Sequence, residues 1–401
     1  MHSKWSVCVV ILVAVVIRLL FKSDVVYDGF DENIYHYYVN TVHQQGFEGL
    51  REIFQQYSRH EVLSTAPSPL RVGYVYSAYL FCKILGEFSL NHLAWFSFVC
   101  GLGLVVVAWA LFRQLFTPPV ALASSLLLIT SPIGMALSQR ALQDTFMTLI
   151  IISCVLLHYL YCQKRTMVYL ISLTLTLTLG FLTKESMVLL YPFFIIASLY
   201  YWKNNSPPHP LWGTLPFVIA PFVALGVMIT IAGNLQNVIE FYQYLFSMQN
   251  KIPYAVNFQK GPWFKYIVDF LLISPLVLIF GIIGMSSYLG EESPHRAGRA
   301  FCSVFMLVSL AVCSCVVIMN IRHVYFLDVS LRALAVLGAL QVSSLLAQKW
   351  PQFLNQSVVC LIIILSLVTT DLYQYYKLFI EAKIYDPITA NLIQGLGFVS
   401  Q

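Results

Sequence analysis

Three carboxylates fall within five residues in the segment Tyr27-Asp-Gly-Phe-Asp-Glu-Asn-Ile-Tyr-His-Tyr-Tyr38, a few positions beyond the first long apolar run. Basic residues mark the ends of later apolar runs: Arg140-Ala-Leu-Gln-Asp144, Thr183-Lys184-Glu185, and Arg322-His323 followed by Tyr325. Carboxylates accept protons and clustered cations hold anionic oxygens. Arg140, Lys184, Arg322 and His323 opposite Asp31, Glu32 and Asp144 are therefore the set that an anionic phosphate and a proton acceptor require together. A phosphate at a bilayer surface points to a lipid phosphate. Each residue also has a structural use. With Gly29 as a turn, Asp31 is placed to cap a helix running along Ile34, Tyr38 and Val42, and Glu32 suits its first turn. Arg140 and Asp144 can close on each other as an i,i+4 pair. Lys184 and Arg322 can sit as snorkelling interface charges. What favours chemistry is that one topology brings all four clusters to one face of a membrane.

The elements that must position them are set by composition. The 401 residues are 59% apolar and only 10% charged, with a mean hydropathy of +0.75, against roughly 25% charged residues in a soluble domain. Apolar residues recur in blocks of about 16 to 22, the length that crosses ~30 Å of hydrocarbon as a helix. The expected fold is an all-α integral membrane protein with about eleven transmembrane helices, near 5–21, 93–112, 119–133, 145–162, 167–183, 186–202, 212–232, 266–288, 300–319, 324–347 and 356–372. Leu173-Thr-Leu-Thr-Leu-Thr-Leu179 alternates like a strand, but a lone strand in lipid leaves its backbone unpaired, so it reads as helix. The run from Trp5 to Phe21 has no small-residue cleavage site and reads as a first span. Most of the nine cysteines lie inside apolar runs, where they act as small hydrophobes and imply no disulfide framework. The net charge of +5 is spread between spans, which gives nucleic-acid binding no support.

The segment Leu70–Leu85 is short for a span and carries Arg71 and Lys83. With it at the surface and the N-terminus cytoplasmic, the cytoplasmic loops hold Lys4, Arg113, Lys164, Arg165, Lys203, Arg296, Arg299 and Lys349 against Glu291 and Glu292, as the positive-inside tendency demands. Residues 1–401 then form a single polytopic domain. Residues 22–92 make a first outside loop with the carboxylates and juxtamembrane helices, 233–265 a second outside loop, and 300–401 the C-terminal helices. Phe47, Leu50, Phe54 and Tyr57 predict an amphipathic helix suited to the bilayer surface. The short stretch Lys377–Gln401 falls outside and is too small for a large soluble domain, so the two outside loops must recognise the acceptor.

In this order and on this side, Asp31-Glu32 after the first span, Pro67-Ser-Pro-Leu70 before a helix ending Leu85-Gly86, Ser131-Pro132 ahead of Arg140…Asp144, Thr183-Lys184-Glu185, Gly261-Pro-Trp263 and Arg322-His-Val-Tyr325 form a pattern. It resembles the GT-C superfamily of polyprenyl-phosphate-sugar glycosyltransferases, in particular the protein mannosyltransferase and aminoarabinose transferase-like branch, over most of the chain. The resemblance implies a membrane enzyme that moves a sugar from a polyprenyl-phosphate donor to a hydroxyl or amine of a glycan, lipid or protein acceptor at the outer face, in the plasma (inner) membrane. Asp31 matches the family's catalytic carboxylate and would act as general base, with Glu32 beside it. Arg140 first, then Lys184, Arg322 and His323, would stabilise the leaving lipid phosphate, supported by Asp144, Tyr35 and Tyr325. Asn33, Ile34 and Tyr35 follow the acidic pair where relatives often place a basic residue and then Tyr, and Ala66 stands where some carry Lys; these departures bear on donor contacts and sugar identity. The acids could bind a divalent ion, but no dense carboxylate set or Cys/His cluster demands a metal. The competing classes are a lipid or solute transporter or flippase without catalysis, which should show polar or broken helices near the bilayer midplane, and a non-catalytic membrane scaffold.

Overall fold

Apolar segments in hydrocarbon must satisfy their backbone polar groups internally, and the helix does this within one segment. The computed structural model describes residues 2–22, 29–59, 67–204, 210–248, 259–286, 294–316 and 318–383, which hold helices and turns and no strand. Tyr27, Asp28, Ala66, Glu291, Glu292 and the stretch beyond Lys383 lie outside the described residues.

The chain opens with α1 (His2–Leu20), followed by α2 (Phe30–Gln45), α3 (Phe47–Ser58), α4 (Val72–Leu85), α5 (Leu90–Leu115), α6 (Pro118–Ile129) and α7 (Pro132–Leu137). Next come α8 (Asp144–Lys164), α9 (Met167–Thr183), a 3₁₀ turn (Glu185–Leu190) running into α10 (Tyr191–Asn204), α11 (Pro210–Ala232) and α12 (Leu235–Met248). The last part holds α13 (Lys265–Ile273), α14 (Pro275–Ser286), α15 (Arg296–Ser314), a 3₁₀ turn (Ile321–Val324) continuing as α16 (Tyr325–Lys349), and α17 (Gln356–Tyr375). Among the described residues six helices are long and apolar enough to cross a membrane: Leu90–Leu115, Asp144–Lys164, Gly213–Ala232, Arg296–Ser314, Ile321–Lys349 and Gln356–Glu381. Shorter apolar helices accompany them at Val7–Leu20, Pro118–Ile129, Met167–Thr183, Glu185–Tyr200, Pro275–Ser286 and Val72–Leu85. With Val72–Leu85 set aside, these fall on the about eleven apolar segments expected from the sequence, and the all-α membrane architecture stands. All nine cysteines are free.

Four local expectations need correction. Asp31 is not a cap: Gly29 occupies that position without a side-chain bond, and Asp31 and Glu32 lie in the first turn of α2. Arg140 and Asp144 do not share a helix, because α8 begins at Asp144 and Arg140 lies in the preceding turn. The expected span 266–288 is two helices interrupted at Ser274, before Pro275, which lacks an amide proton. The apolar face of α3 does not wait for lipid. Leu50, Ile53, Phe54 and Tyr57 are buried, with Phe54 and Tyr57 against Phe241 of α12 at ring separations of 5.6 and 5.2 Å.

The chain divides into two units. The first comprises Met1–Ser23, Leu102–Ala136 and Gly261–Gln401. Within it α16 packs against α6, α14, α15 and α17, and crosses α14 where Gly281, Gly284 and Gly338 let backbones approach; a Cβ on Gly284 or Gly338 would strike the opposite main chain. The second comprises Asp24–Gly101 and Leu137–Lys260. Here α8 packs on α9, α9 on α4 and α11, and α2 on α3 and α4. Gly86 ends α4 in the left-handed region at φ 80°, which only glycine adopts without strain.

Candidate active site

The second unit assembles a charged cluster from the first turn of α2, the start of α4, the turn before α8, and the junction after α9. The periodicity of α2 decides which acid goes inside. Glu32, Tyr35, Tyr38, Val39 and Val42 share its buried face, as helical spacing requires. Glu32 is 1% exposed, whereas Asp31, one residue earlier, sits at the edge of that face and is half-buried.

Arg140 closes on Glu32: its Nε donates to Oε1 at 2.7 Å, and Nη2 also contacts that oxygen. Burial pushes the Glu32 carboxyl above its usual range, and the ion pair with Arg140 opposes that shift. Lys184, just beyond α9, donates from Nζ to Oδ1 of Asp144 at 2.9 Å and so ties the end of α9 to the start of α8. The third pair was not anticipated. Arg71 donates from Nε and Nη2 to Oε2 of Glu185 at 3.3 and 3.2 Å, and from Nη1 to the Tyr35 hydroxyl at 3.2 Å. Gln143 fits between them with its amide oxygen turned to Arg71 Nη1 (2.9 Å) and its amide nitrogen to the Thr183 carbonyl (2.9 Å).

Aromatic packing fixes this arrangement. Tyr38 donates its hydroxyl to the Pro67 carbonyl at 2.8 Å, pinning α2 to the proline-rich approach to α4. Tyr35 packs edge-on against Tyr74 at 4.8 Å, and Tyr74 continues into Phe96 and Phe146. Buried charges are tolerated when paired, and here Glu32, Asp144 and Glu185 each meet a cation.

Asp31, Glu32, Tyr35, Arg140, Asp144 and Lys184 of the expected set therefore lie in this unit. Arg322, His323 and Tyr325 lie in the other. There the Asn320 side chain accepts from the Arg322 amide at 3.1 Å and caps the turn that carries Arg322 and His323, while Tyr325 is fully buried within electrostatic reach of Arg18. The sequence reading passed over Arg71, Gln143 and Glu185 as members of one group. It also passed over a second buried network in the first unit. Arg332 donates to Asp328 (3.0 Å), to Asp371 and to the Ser274 hydroxyl (3.0 Å), and Ser131 donates to Asp328 (2.6 Å). The available signal was charge inside expected spans, which is costly and demands a partner. Among the described residues no three His, Cys, Asp or Glu side chains gather to hold a metal ion.

Residues 69–247 match the family model of dolichyl-phosphate-mannose-protein mannosyltransferases. The fold matches ArnT of Cupriavidus metallidurans with a TM-score of 0.53 at 13% identity, over 97% of this chain and 74% of that one; ArnT has also been solved with undecaprenyl phosphate (TM-score 0.54, 13% identity, 97% and 75%). It also matches the Archaeoglobus fulgidus oligosaccharyltransferase with a TM-score of 0.59 at 13% identity, over 93% of this chain. The chain spans 56% of that longer protein, which has been solved in another form with an inhibitory peptide and dolichol-phosphate. No curated protein matches the chain in direct sequence comparison. The family model thus matches under half of the chain, residues 69–247, and the chain shares the fold of ArnT and of the archaeal oligosaccharyltransferase.

Proposed function

From the partial family match and the shared fold, we propose that the chain is a GT-C glycosyltransferase that transfers a sugar from a polyprenyl-phosphate donor to a hydroxyl or amine of a glycan, lipid or protein acceptor at the outer face of its membrane, with Asp31 as general base. The observation that carries this reading is the contrast between two adjacent acids. Glu32 is enclosed and committed to Arg140, whereas Asp31 keeps a solvent-facing side at the edge of the same cluster. A carboxylate so placed can take the acceptor's proton while the acceptor oxygen or nitrogen bonds to the anomeric carbon. The bond from that carbon to the phosphate oxygen breaks, and the lipid phosphate leaves with the electron pair. The leaving group is already anionic, so positive charge suffices to stabilise it and no general acid is needed. Within this unit, Arg140 and Lys184 are the cations proposed for this task, Arg140 also holding Glu32, and with it the first turn of α2, in position.

The break at Ser274 and the network around Arg332 are features that a transport path would share. Arg332, however, is 0% exposed and bonded to Asp328, Asp371 and Ser274, which suits a fixed tie between helices rather than a site that loads and releases cargo.

The test is Asp31→Asn in liposomes supplied with sugar-charged undecaprenyl or dolichyl phosphates. The variant is expected to fold with an unchanged unfolding midpoint and to lose at least about a hundredfold in turnover, the scale of general-base catalysis. Turnover at the wild-type rate would remove Asp31 from the mechanism.

A further inference from the structure

On the premise that the chain is a glycosyltransferase, we infer that Arg71 and Glu185, with the tyrosines beside them, form a subsite that recognises the hydroxyls of a sugar ring. The three ion pairs described in this cluster are not alike. Arg140 and Glu32 are 3% and 1% exposed, and Lys184 and Asp144 are 9% and 4%; Arg71 and Glu185 retain 19% and 26%. The open pair is also incompletely bonded. Both Arg71 nitrogens reach the same oxygen of Glu185, and the other oxygen, Oε1, is buried with no hydrogen-bond partner among the described residues.

A buried carboxylate oxygen without a donor is a lasting cost that an incoming hydroxyl removes. Sugars carry hydroxyls on adjacent carbons, each both donor and acceptor. Glu185 can accept from one while Arg71, the Tyr35 hydroxyl or the Gln143 amide serves its neighbour. The surroundings suit a ring: the phenols of Tyr57 and Tyr242 lie within electrostatic reach of both Arg71 and Glu185, and their faces can cover the apolar C–H face of a sugar. A phosphate fits this position poorly. A phosphate diester brings no proton to Oε1, whereas a hydroxyl does.

The sugar could be the one transferred or one on a glycan acceptor. The full chain in nanodiscs is probed by saturation-transfer NMR with methyl glycosides of hexoses, pentoses and amino sugars. Undecaprenyl and dolichyl phosphates without sugar are the parallel probes. At least one glycoside is expected to bind the wild type, and Glu185→Gln should weaken it about tenfold or more while leaving bare polyprenyl-phosphate binding within about twofold. Absence of glycoside binding, or equal loss of the bare lipid, overturns the subsite. If Glu185→Gln does not fold, Tyr57→Leu and Tyr242→Leu, which remove the ring faces, carry the test: weakened glycoside binding with lipid binding retained supports the subsite, and unchanged glycoside binding by both overturns it. In turnover, a raised KM for donor assigns the subsite to the transferred sugar, and a raised KM for acceptor assigns it to the glycan. Failure of the wild type to use any donor counts against the enzymatic reading, while glycoside binding still reports on the subsite.

Discussion

Two neighbouring acids, Asp31 and Glu32, end in different environments because adjacent positions on a helix lie about 100° apart. Glu32 points inward and needs Arg140; removing the cation leaves a buried carboxylate alone, which costs about 3–5 kcal/mol. Arg140→Met should therefore lower the unfolding midpoint sharply, whereas Arg140→Met combined with Glu32→Gln should recover most of it without recovering activity. Denaturation of the two variants in detergent, set beside turnover, checks this; full recovery of turnover in the double variant would contradict the site. The pH dependence has a defined sign. Burial raises the folded-state value of Glu32 above 4.5, so in the window just above 4.5 the folded chain binds a proton that the unfolded chain does not. Stability owed to Glu32 then rises as pH falls through that window. Wild type should gain stability relative to Glu32→Gln as pH is lowered toward 4.5, and a loss would show that the Arg140 ion pair outweighs burial.

Between elements, the decisive contact is the crossing of α4 and α9. A Cβ on Gly73 would lie 2.7 Å from the Thr183 hydroxyl and 2.9 Å from the Leu182 carbonyl carbon, so glycine sets how closely these helices approach. Gly73→Ala should force them apart at a cost of about 1–3 kcal/mol. Arg71 and Glu185 flank the crossing, so the same change should raise KM for the sugar substrate more than it lowers kcat. An unshifted KM would separate this packing from the subsite. The helices themselves were legible in the sequence, because each apolar run is long and bounded by charges or prolines. Breaks inside runs were not. A hydropathy window averages across Ser274-Pro275 and across Thr130-Ser131, where α6 gives way to α7. Nor was the Arg71 pair, because its partner is 114 residues away and sequence spacing reports only contacts within one helix. The same limit made Arg140 and Asp144 look like partners of each other, when a turn between them sends each to a distant one.

For the whole molecule, the loop charges argue that Leu70–Leu85 stays at the surface, and one contact in the structure bears on the same point. Glu32 precedes α4 and Arg140 follows α6, yet the two are in contact. An even number of crossings must separate groups on the same face; α5 and α6 supply two, and a spanning α4 would make three. The consequence can be read by labelling. In a chain with exposed Cys8 and Cys315 replaced by serine, a single cysteine is placed at exposed Gln55 on α3 or at exposed Lys164 at the end of α8, and a membrane-impermeant maleimide is applied to right-side-out and inverted vesicles. With α4 at the surface, Gln55→Cys should react only from the outside and Lys164→Cys only from the inside. Reaction of both from the same side would make α4 a span, reverse the side assigned to Arg113 and the Lys164-Arg165 pair, and set the topology against the Glu32–Arg140 contact.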